Sequence, residues 1–320
     1  MNFSKAFTPI TTHLEEFENR LKSVLESDSA IIRQITEHLY GSSGKRLRPA
    51  LLFLTAEKPT ASAMYSAMAI ELIHTATLLH DDVVDQSAMR RGQETVNFRW
   101  NNLVSVLMGD YLFAKAFGLL VKADSPYLMK SFAMATERVS TGELNQVFYT
   151  GNFEIAEETY LKVIADKTAS LFACSAEAGA VCSQRSALIC SALRDYGENI
   201  GLAFQIVDDL LDLIGETDKT GKSLGSDIRE GWVTLPLIAA LRNDNGNSRK
   251  RFKEILGEDI SSGDFDEIVN FVKNNGGIEY AEQKARQYVE NALTILRGLD
   301  GFPLRESLEE LAVVAVDRDR

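Results

Sequence analysis

Apolar residues recur three and four positions apart along almost the whole chain, a spacing that places them on one face of an α-helix. No segment alternates apolar and polar residues between hairpin turns, so strands are not expected. The pattern predicts an all-α protein. A first helix is expected near Thr12, where Thr12 and Glu15 match a capping box. Further helices are predicted at about 29–40, 47–56, 61–85, 95–122, 126–149, 157–183, 186–213, 232–242, 247–256, 264–274, 277–298 and 304–317.

The segments between these helices are short, and none has the length or composition of an interdomain linker. A single domain covering residues 1–320 is therefore expected. Hydrophobic residues make up 45% of the chain and charged residues 25%, as in ordinary soluble globular proteins. The most apolar long stretch, 103–121, is interrupted by Asp110 and Lys115, so it is predicted to be a buried helix and not a transmembrane segment.

Two copies of the pattern DDxxD stand inside apolar helical segments, at 81–85 and 208–212. On a helix, positions i and i+4 share one face and i+1 lies beside it. Each copy should therefore present three carboxylates from a surface that is otherwise apolar. An isolated buried carboxylate is costly because it loses hydration without gaining a partner. A divalent cation compensates that cost, and Mg²⁺ typically takes one or two protein carboxylates together with phosphate oxygens and water.

The net charge of −12 disfavours nucleic acid and anionic membranes as main partners, since both require a basic surface. An anionic substrate would need a local basic cluster. Candidates are the GKRLRP segment at 44–49, the RRG segment at 90–92, Lys167 and Lys222. Arginine offers a fork suited to phosphate oxygens, and lysine offers a compact charge. With the two acidic motifs, these residues predict a pocket for two anionic groups.

The three cysteines are too few, and odd in number, for a disulfide framework, and they lack the spacing of a metal site. Residues 1–17 lack the basic start and apolar core of a signal peptide. A reducing cytoplasm is therefore the expected setting.

Eight motifs occur in the order that one enzyme family shows, at 44–49, 70–85, 90–92, 109–117, 142–146, 166–172, 204–212 and 221–227. On these motifs the chain resembles the trans-polyprenyl diphosphate synthases, and its tail at 315–320 is similar to that of octaprenyl-type enzymes. The resemblance implies the isoprenoid synthase type I fold, a helical bundle around a central catalytic cavity. It also implies a homodimer that uses several Mg²⁺ ions to condense isopentenyl diphosphate, head to tail, with an allylic diphosphate.

The resemblance assigns roles to individual residues. The expected Mg²⁺ ligands are Asp81, Asp85 and Asp208, with Asp82, Asp209 and Asp212 supporting them directly or through water. The residues expected to bind the allylic diphosphate are Arg90, Lys167 and Lys222. Those expected to bind isopentenyl diphosphate are Lys45, Arg48, His74 and Arg91, and Thr168 and Gln205 are expected to line the reacting end. The catalytic set comprises Asp81, Asp82, Asp85, Lys167, Asp208 and Asp209.

Product length is expected to depend on the depth of an apolar tunnel behind the first aspartate motif. Ala76 and Thr77, the fifth and fourth residues before Asp81, are small and do not plug such a tunnel. In the family a bulky aromatic residue there accompanies short products. The resemblance therefore implies a medium- to long-chain polyprenyl diphosphate for a quinone side chain, with a geranylgeranyl or farnesyl product as the alternative.

Position 232 departs from the family pattern. The family usually has EGKxTLP where this chain has EGWVTLP at 230–236, so Trp232 replaces a lysine expected to neutralise the allylic diphosphate. A lost charge-assisted contact commonly costs about 1.5–3 kcal/mol. Reduced but real activity is therefore expected, and a low-activity partner subunit of a heteromeric synthase is an alternative.

Two other enzyme classes share part of these features. Class I terpene cyclases also carry DDxxD, but their second metal motif normally mixes Asn, Ser or Thr with Glu, and they have no second diphosphate substrate for GKRLRP. HD phosphohydrolases use a His-Asp dipeptide like His80-Asp81, but they need further histidine ligands, and this chain has four histidines. His80 is instead expected to orient or pack against its neighbours.

Overall fold

The computed structural model describes residues 4–41, 44–90, 92–215, 225–242, 244, 247–256 and 260–316. Its helices are α1 (Ser4–Phe7), α2 (Thr11–Val24), α3 (Ala30–Tyr40), α4 (Leu47–Ala56), α5 (Ala61–Val84), α6 (Val96–Arg99), α7 (Asn102–Lys122), α8 (Pro126–Tyr149), α9 (Glu157–Ile164), α10 (Ser170–Cys182), α11 (Ala187–Ile214), α12 (Ser226–Arg229), α13 (Leu235–Arg242), α14 (Asn247–Leu256), α15 (Ser262–Asn274), α16 (Gly277–Arg297) and α17 (Arg305–Val316). A 3₁₀ turn (Thr8–Ile10) joins α1 to α2, and a π-helical turn (Ala165–Ala169) joins α9 to α10.

The all-α prediction is confirmed, with two local differences. The predicted helix at 95–122 is divided at Asn101, whose side chain accepts a hydrogen bond from a backbone N–H three residues later and so begins α7. A short antiparallel hairpin pairs Met89–Arg90 (β1) with Gln93–Glu94 (β2). The expectation of no strands is wrong here, because Gly92, at φ 76°, allows a tight turn between strands too short to show alternation.

The capping box predicted at Thr12 and Glu15 is wrong. α2 begins at Thr11 directly from the 3₁₀ turn, and no side chain caps it. A capping box does occur at the start of α15. There Ser261 Oγ accepts from the backbone N–H of Asp264 at 3.2 Å, and Asp264 Oδ2 accepts from the backbone N–H of Ser261 at 3.3 Å.

The helices α10 and α11 run through the centre of the molecule, where α10 packs between α4 and α11, and α16 lies along α11. Glycine permits the close approach of α11: a Cβ at Gly197 would lie 2.5 Å from Phe172 O, and one at Gly201 would lie 2.5 Å from Ala169 Cα. One apolar cluster includes side chains of α4, α5, α7 and α10, and a second includes those of α9, α11 and α13–α16. The helix α5 thus lies in the first cluster, whereas α11 contributes to both and its C-terminal part, which carries the second DDxxD motif, packs in the second.

Among the described residues, α7 is the one helix that is long and apolar enough to cross a membrane. Asp110 and Lys115 lie in its middle, and Lys115 Nζ donates to the backbone oxygen of Val24 at 3.2 Å. The prediction of a buried helix is right for the side that packs on α5. It is wrong for the other side, where Leu103 and Leu107 are 67% and 57% exposed.

All three cysteines are free, as their number predicts. Burial raises the pKa of the Cys174 thiol to about 12, so this thiol stays protonated at neutral pH. A protonated buried thiol is inert, which leaves Cys174 a packing role.

Candidate active site

The two aspartate motifs occupy equivalent places, because each lies at the C-terminal end of a long helix, α5 or α11. In the first motif Asp81 is half-buried, whereas Asp82 is only 4% exposed. In the second motif Asp208 is exposed, whereas Asp209 is only 3% exposed. The spacing predicted three carboxylates projecting together, but in both motifs the second acid points into the protein.

A cation holds the buried acid of the first motif. Arg90, in the hairpin after α5, donates from Nε to Asp82 Oδ1 at 2.7 Å. Asn97 Nδ2 donates to the backbone oxygen of the same aspartate at 3.0 Å. A guanidinium has five N–H donors, so this contact does not exhaust Arg90 as a ligand for a substrate anion.

Neutral donors hold the buried acid of the second motif. Tyr160 OH donates to Asp209 Oδ2 at 2.5 Å, and Gln205 Nε2 donates to Asp209 Oδ1 at 2.7 Å. Thr168 Oγ1 in turn donates to Gln205 Oε1 at 2.7 Å. Burial raises the pKa of Asp209 to about 7, although the hydrogen bonds from Tyr160 and Gln205 act in the opposite direction.

The last acid of the second motif is engaged in local structure. Asp212 Oδ1 accepts from the backbone N–H of Ser226 at 3.2 Å and from its hydroxyl at 2.6 Å. Asp212 Oδ2 accepts from the backbone N–H of Asp227 at 3.0 Å. The carboxylate thus fixes the start of α12 against α11. Asp85, the corresponding residue of the first motif, is half-buried at the end of α5.

Lys167 faces the first motif from the π-helical turn. Its Nζ lies 2.8 Å from Glu143 Oε2 on α8. Burial disfavours the charged form of Lys167, but the carboxylates of Glu143 and Asp81 outweigh it and raise the pKa. A Cβ at Gly142 would lie 2.4 Å from Lys167 N, so glycine is required for α8 to approach this closely. Glu143 belongs to the family motif at 142–146, but the sequence alone gives it no role.

The first acid of the first motif has a perturbed pKa. Burial and the nearby Glu143 carboxylate raise the pKa of Asp81 to about 7, and Lys167 opposes the shift. Asp85 adds further negative charge, and Arg90 opposes it. The site therefore concentrates negative charge around Asp81 that a bound cation would relieve.

A salt-bridge network fixes the π-helical turn. Arg138 Nε lies 2.7 Å from Asp166 Oδ1, and Lys162 Nζ lies 2.6 Å from Asp166 Oδ2. Arg138 Nη2 also lies 2.6 Å from Glu198 Oε1 on α11. The next two residues, Lys167 and Thr168, consequently point to the first and to the second motif. π-Helical turns are rare and often mark functional sites.

The cations of the GKRLRP segment have different surroundings: one forms salt bridges inside the protein and another is exposed. Arg46, at φ 49°, turns inward and contacts Glu18 and Glu71 at 2.6 and 2.5 Å. Lys45 is exposed. The guanidinium of Arg48 lies 4.6 Å from the ring centroid of Phe172 on α10.

The other predicted contacts for isopentenyl diphosphate are placed only in part. His74 is half-buried on α5, and its backbone oxygen accepts from Thr77 Oγ1 at 2.8 Å. Ala76 is fully buried in the first apolar cluster. Arg91 and Lys222 lie outside the described residues.

Trp232 stands beside the second motif, 4% exposed. Its ring stacks on that of Tyr160, with centroids 6.1 Å apart and an interplanar angle of 27°. Its backbone N–H donates to Asp227 O at 2.7 Å. The indole is therefore a packed core group.

His80 has the packing role that the sequence predicted. Its Nε2 lies 3.2 Å from Val106 O, and a Cβ at Gly109 would lie 2.3 Å from the same nitrogen.

Among the described residues, no group of three or more His, Cys, Asp or Glu side chains is arranged to hold a metal ion by itself. Separate half-buried and exposed carboxylates fit Mg²⁺, which takes few protein ligands and completes its shell with phosphate oxygens.

Known proteins are similar to this chain in sequence and in fold. The family model described as polyprenyl synthetase matches residues 29–272. The chain belongs to the polyprenyl synthetase family. It is 35% identical, over 97% of its length and 96% of the relative's, to an all-trans-nonaprenyl-diphosphate synthase (geranyl-diphosphate specific) of Rhodobacter capsulatus. It is 34% identical to the octaprenyl diphosphate synthase of Escherichia coli, covering 92% of this chain and 93% of the relative.

A solved structure agrees with this assignment. The polyprenyl synthase of Caulobacter crescentus, complexed with calcium and isoprenyl diphosphate, superposes with a TM-score of 0.94 at 36% identity, covering 100% of this chain and 98% of that one. The predicted isoprenoid synthase fold is confirmed. The protein is a prenyltransferase, a trans-polyprenyl diphosphate synthase that condenses isopentenyl diphosphate with an allylic diphosphate. This assignment displaces the terpene cyclase and HD phosphohydrolase hypotheses.

Proposed function

We propose that this synthase uses Mg²⁺ held by Asp81, Asp85 and Asp208 to activate the allylic diphosphate. The observation that carries the proposal is the π-helical turn, where Lys167 faces the first aspartate motif and Thr168 is linked to the second. Consecutive residues of one turn thus face the two motifs, which supports a shared site between them. When bound, Mg²⁺ supplies positive charge that stabilises the leaving diphosphate.

The chain's own residues bind and orient the two substrates. The positive charges of Lys167 and Arg90 act on Asp81, and with Lys222 these residues are proposed to neutralise the allylic diphosphate. The residues proposed to bind isopentenyl diphosphate are Lys45 and Arg48 near the start of α4, His74 on α5, and Arg91, which lies outside the described residues. The bound substrates would have to exclude water from the site, because water would quench the allylic cation.

The product is proposed to be a medium- to long-chain polyprenyl diphosphate for a quinone side chain. The named relatives are nonaprenyl and octaprenyl diphosphate synthases, and Ala76 and Thr77, which precede the first motif, have small side chains. The shorter geranylgeranyl or farnesyl product is the competing possibility.

Elongation by the purified chain tests the function. Labelled isopentenyl diphosphate, Mg²⁺ and a farnesyl or geranylgeranyl primer should give products longer than geranylgeranyl diphosphate on chromatography. Ala76→Phe should shorten them, whereas Thr77→Ser, which keeps the hydroxyl bonded to His74 O, should not. Products that stop at geranylgeranyl diphosphate would favour the short-chain alternative. No elongation without a second subunit would favour the partner-subunit alternative.

We also propose that the enzyme is a homodimer, has no transmembrane segment and is located in the cytoplasm. Exposed apolar side chains line neighbouring helices, with Leu103 and Leu107 on α7 and Leu144 and Phe148 on α8, the latter two 73% and 78% exposed. Monomeric proteins rarely expose large apolar patches, and a second copy would cover this one. Sedimentation should give twice the chain mass, and Leu144→Glu together with Phe148→Glu should halve it.

A further inference from the structure

Tyr160 and Trp232 form a buried aromatic pair behind the second aspartate motif. Tyr160 is 0% exposed and Trp232 is 4% exposed. The nearly parallel rings lie 6.1 Å apart, and the backbone of Trp232 is fixed by its bond to Asp227 O at 2.7 Å. Because both rings are enclosed, the indole restricts the positions open to the tyrosine ring.

The tyrosine hydroxyl begins a chain of hydrogen bonds that reaches the proposed reacting end. Tyr160 OH donates to Asp209, Asp209 accepts from Gln205, and Gln205 accepts from Thr168, with lengths of 2.5, 2.7 and 2.7 Å. Each bond fixes the next donor or acceptor. The amide of Gln205 is oriented by the chain, since its nitrogen must face Asp209 and its oxygen must face Thr168.

Loss of the tyrosine hydroxyl would disturb this chain at its buried end. Asp209 Oδ2 is almost inaccessible to water, so it could not replace the missing donor with solvent. The carboxylate would then have to turn or exchange partners. Either change releases Gln205 and, through it, Thr168.

We propose that Tyr160 and Trp232 are positioning residues, which hold Gln205 and Thr168 against the allylic substrate by way of Asp209. The inference rests on the proposed site, which puts Gln205 and Thr168 at the reacting end. It gives Trp232 a role other than that of the lysine it replaces. The aromatic ring adds rigidity to the second motif where a cation would add charge.

Tyr160→Phe tests the proposal most directly, because it removes one hydroxyl and keeps the ring. The matched control is Tyr196→Phe, since Tyr196 is also 0% exposed but donates to Leu308 O at 2.7 Å, away from the motifs. Both variants should lower the midpoint of thermal unfolding. Only Tyr160→Phe should weaken binding of Mg²⁺ with inorganic diphosphate in calorimetry, by about tenfold. It should also raise KM for the allylic diphosphate without raising KM for isopentenyl diphosphate.

Substitutions of Trp232 give a second test, independent of the hydroxyl. Trp232→Phe keeps an aromatic ring against Tyr160 and should retain most of the affinity for Mg²⁺ with diphosphate. Trp232→Leu removes the aromatic contact and should move in the direction of Tyr160→Phe. Equal affinity in Trp232→Phe and Trp232→Leu would contradict a role for the stack.

Asp208→Asn separates failure of this inference from failure of the proposed site. If Asp208→Asn abolishes binding of Mg²⁺ with diphosphate but Tyr160→Phe matches Tyr196→Phe, the positioning role is wrong and the site stands. If Asp208→Asn binds as the unmodified enzyme does, the site assignment itself is wrong and the inference falls with it.

Discussion

The two DDxxD motifs are identical as patterns and different as structures. The first presents Asp81 and Asp85 toward the site and neutralises Asp82 with Arg90. The second exposes Asp208, whereas Asp209 is buried and bonded to Tyr160 and Gln205, and Asp212 is bonded to the start of α12. The proposed Mg²⁺ ligands, called the open acids below, are the partly exposed Asp81 and Asp85 of the first motif and the exposed Asp208 of the second. Spacing on a helix does not determine which carboxylates are available, since the neighbouring helices decide it.

The largest expected effect is loss of an open carboxylate. Asp81→Asn and Asp208→Asn each remove a proposed Mg²⁺ ligand and should lower kcat by about 10²–10³-fold. Asp195→Asn is the control, because Asp195 lies on α11 but is exposed and far along the helix from the second motif. Steady-state assays at saturating substrate measure the effect. A fall in kcat for Asp195→Asn as large as that for Asp208→Asn would contradict the division into open and structural acids.

The next largest effect is expected on stability and not on kcat, when the cation beside Asp82 is removed. Arg90→Leu leaves a 4% exposed carboxylate without its guanidinium partner, and unfolding should become easier by about 3 kcal/mol. Lys162→Leu is the control: it breaks an ion pair to Asp166 in which the lysine side chain is 67% exposed and Arg138 remains. That change should cost about 1 kcal/mol or less. Urea unfolding curves without substrate would show the difference, and equal costs would mean that Arg90 does not stabilise Asp82.

The raised pKa of Asp81 predicts a pH-dependent site. Burial and the Glu143 carboxylate raise the pKa of Asp81 from its usual 3.8 to about 7 in the folded state. Protons compete with Mg²⁺ for the carboxylate, so the affinity should fall by up to about tenfold per pH unit below 7. Glu143→Gln removes one cause of the raised pKa, so the fall should begin at lower pH. Glu137→Gln, an exposed position on α8, should leave the profile unchanged. Calorimetric titration of Mg²⁺ with inorganic diphosphate between pH 5.5 and about 8 measures both profiles.

The raised pKa of Asp81 also makes stability depend on pH, in the direction opposite to the affinity for Mg²⁺. Between about 3.8 and about 7 the folded chain binds more protons at Asp81 than the unfolded chain does. Without Mg²⁺, the contribution of Asp81 to the free energy of unfolding is therefore most favourable at low pH and decreases as pH rises through 7. Asp81→Asn removes this cost, and its thermal midpoint should exceed that of the unmodified enzyme at pH above about 7.

Much of this architecture could be predicted from the sequence, because periodic apolar faces determine where helices lie. The apolar periodicity predicts one helix over 157–183 and does not reveal the π-helical turn, because a local change in hydrogen-bond register leaves the apolar spacing almost unchanged. The direction of Arg46 was also missed. Its neighbours Glu18 and Glu71 come from distant parts of the chain, and a basic run does not reveal which cation turns inward.

The sequence likewise predicts the residues of the site better than their arrangement. The acids and cations were recognisable as residue types in a known order, but their division into open and buried groups depends on tertiary neighbours. Tyr160 lies in no motif that sequence analysis singled out, and only its 2.5 Å bond to Asp209 brings it to the site. Trp232 was recognised as a replacement for lysine, and its stacking on Tyr160 could not be read from one sequence.

The smallest expected effect concerns the acid that ends the second motif. Asp212→Asn keeps an oxygen that can accept from Ser226 but loses the charge, so unfolding should become easier by about 1 kcal/mol. Asp85→Asn, at the corresponding position of the first motif, should cost less stability but more activity, because Asp85 is proposed to bind Mg²⁺. Unfolding curves and kcat of the two variants test this crossed pattern. If Asp212→Asn lost as much activity as Asp85→Asn, the two motifs would be functional equals, and their different hydrogen bonds would have no bearing on catalysis.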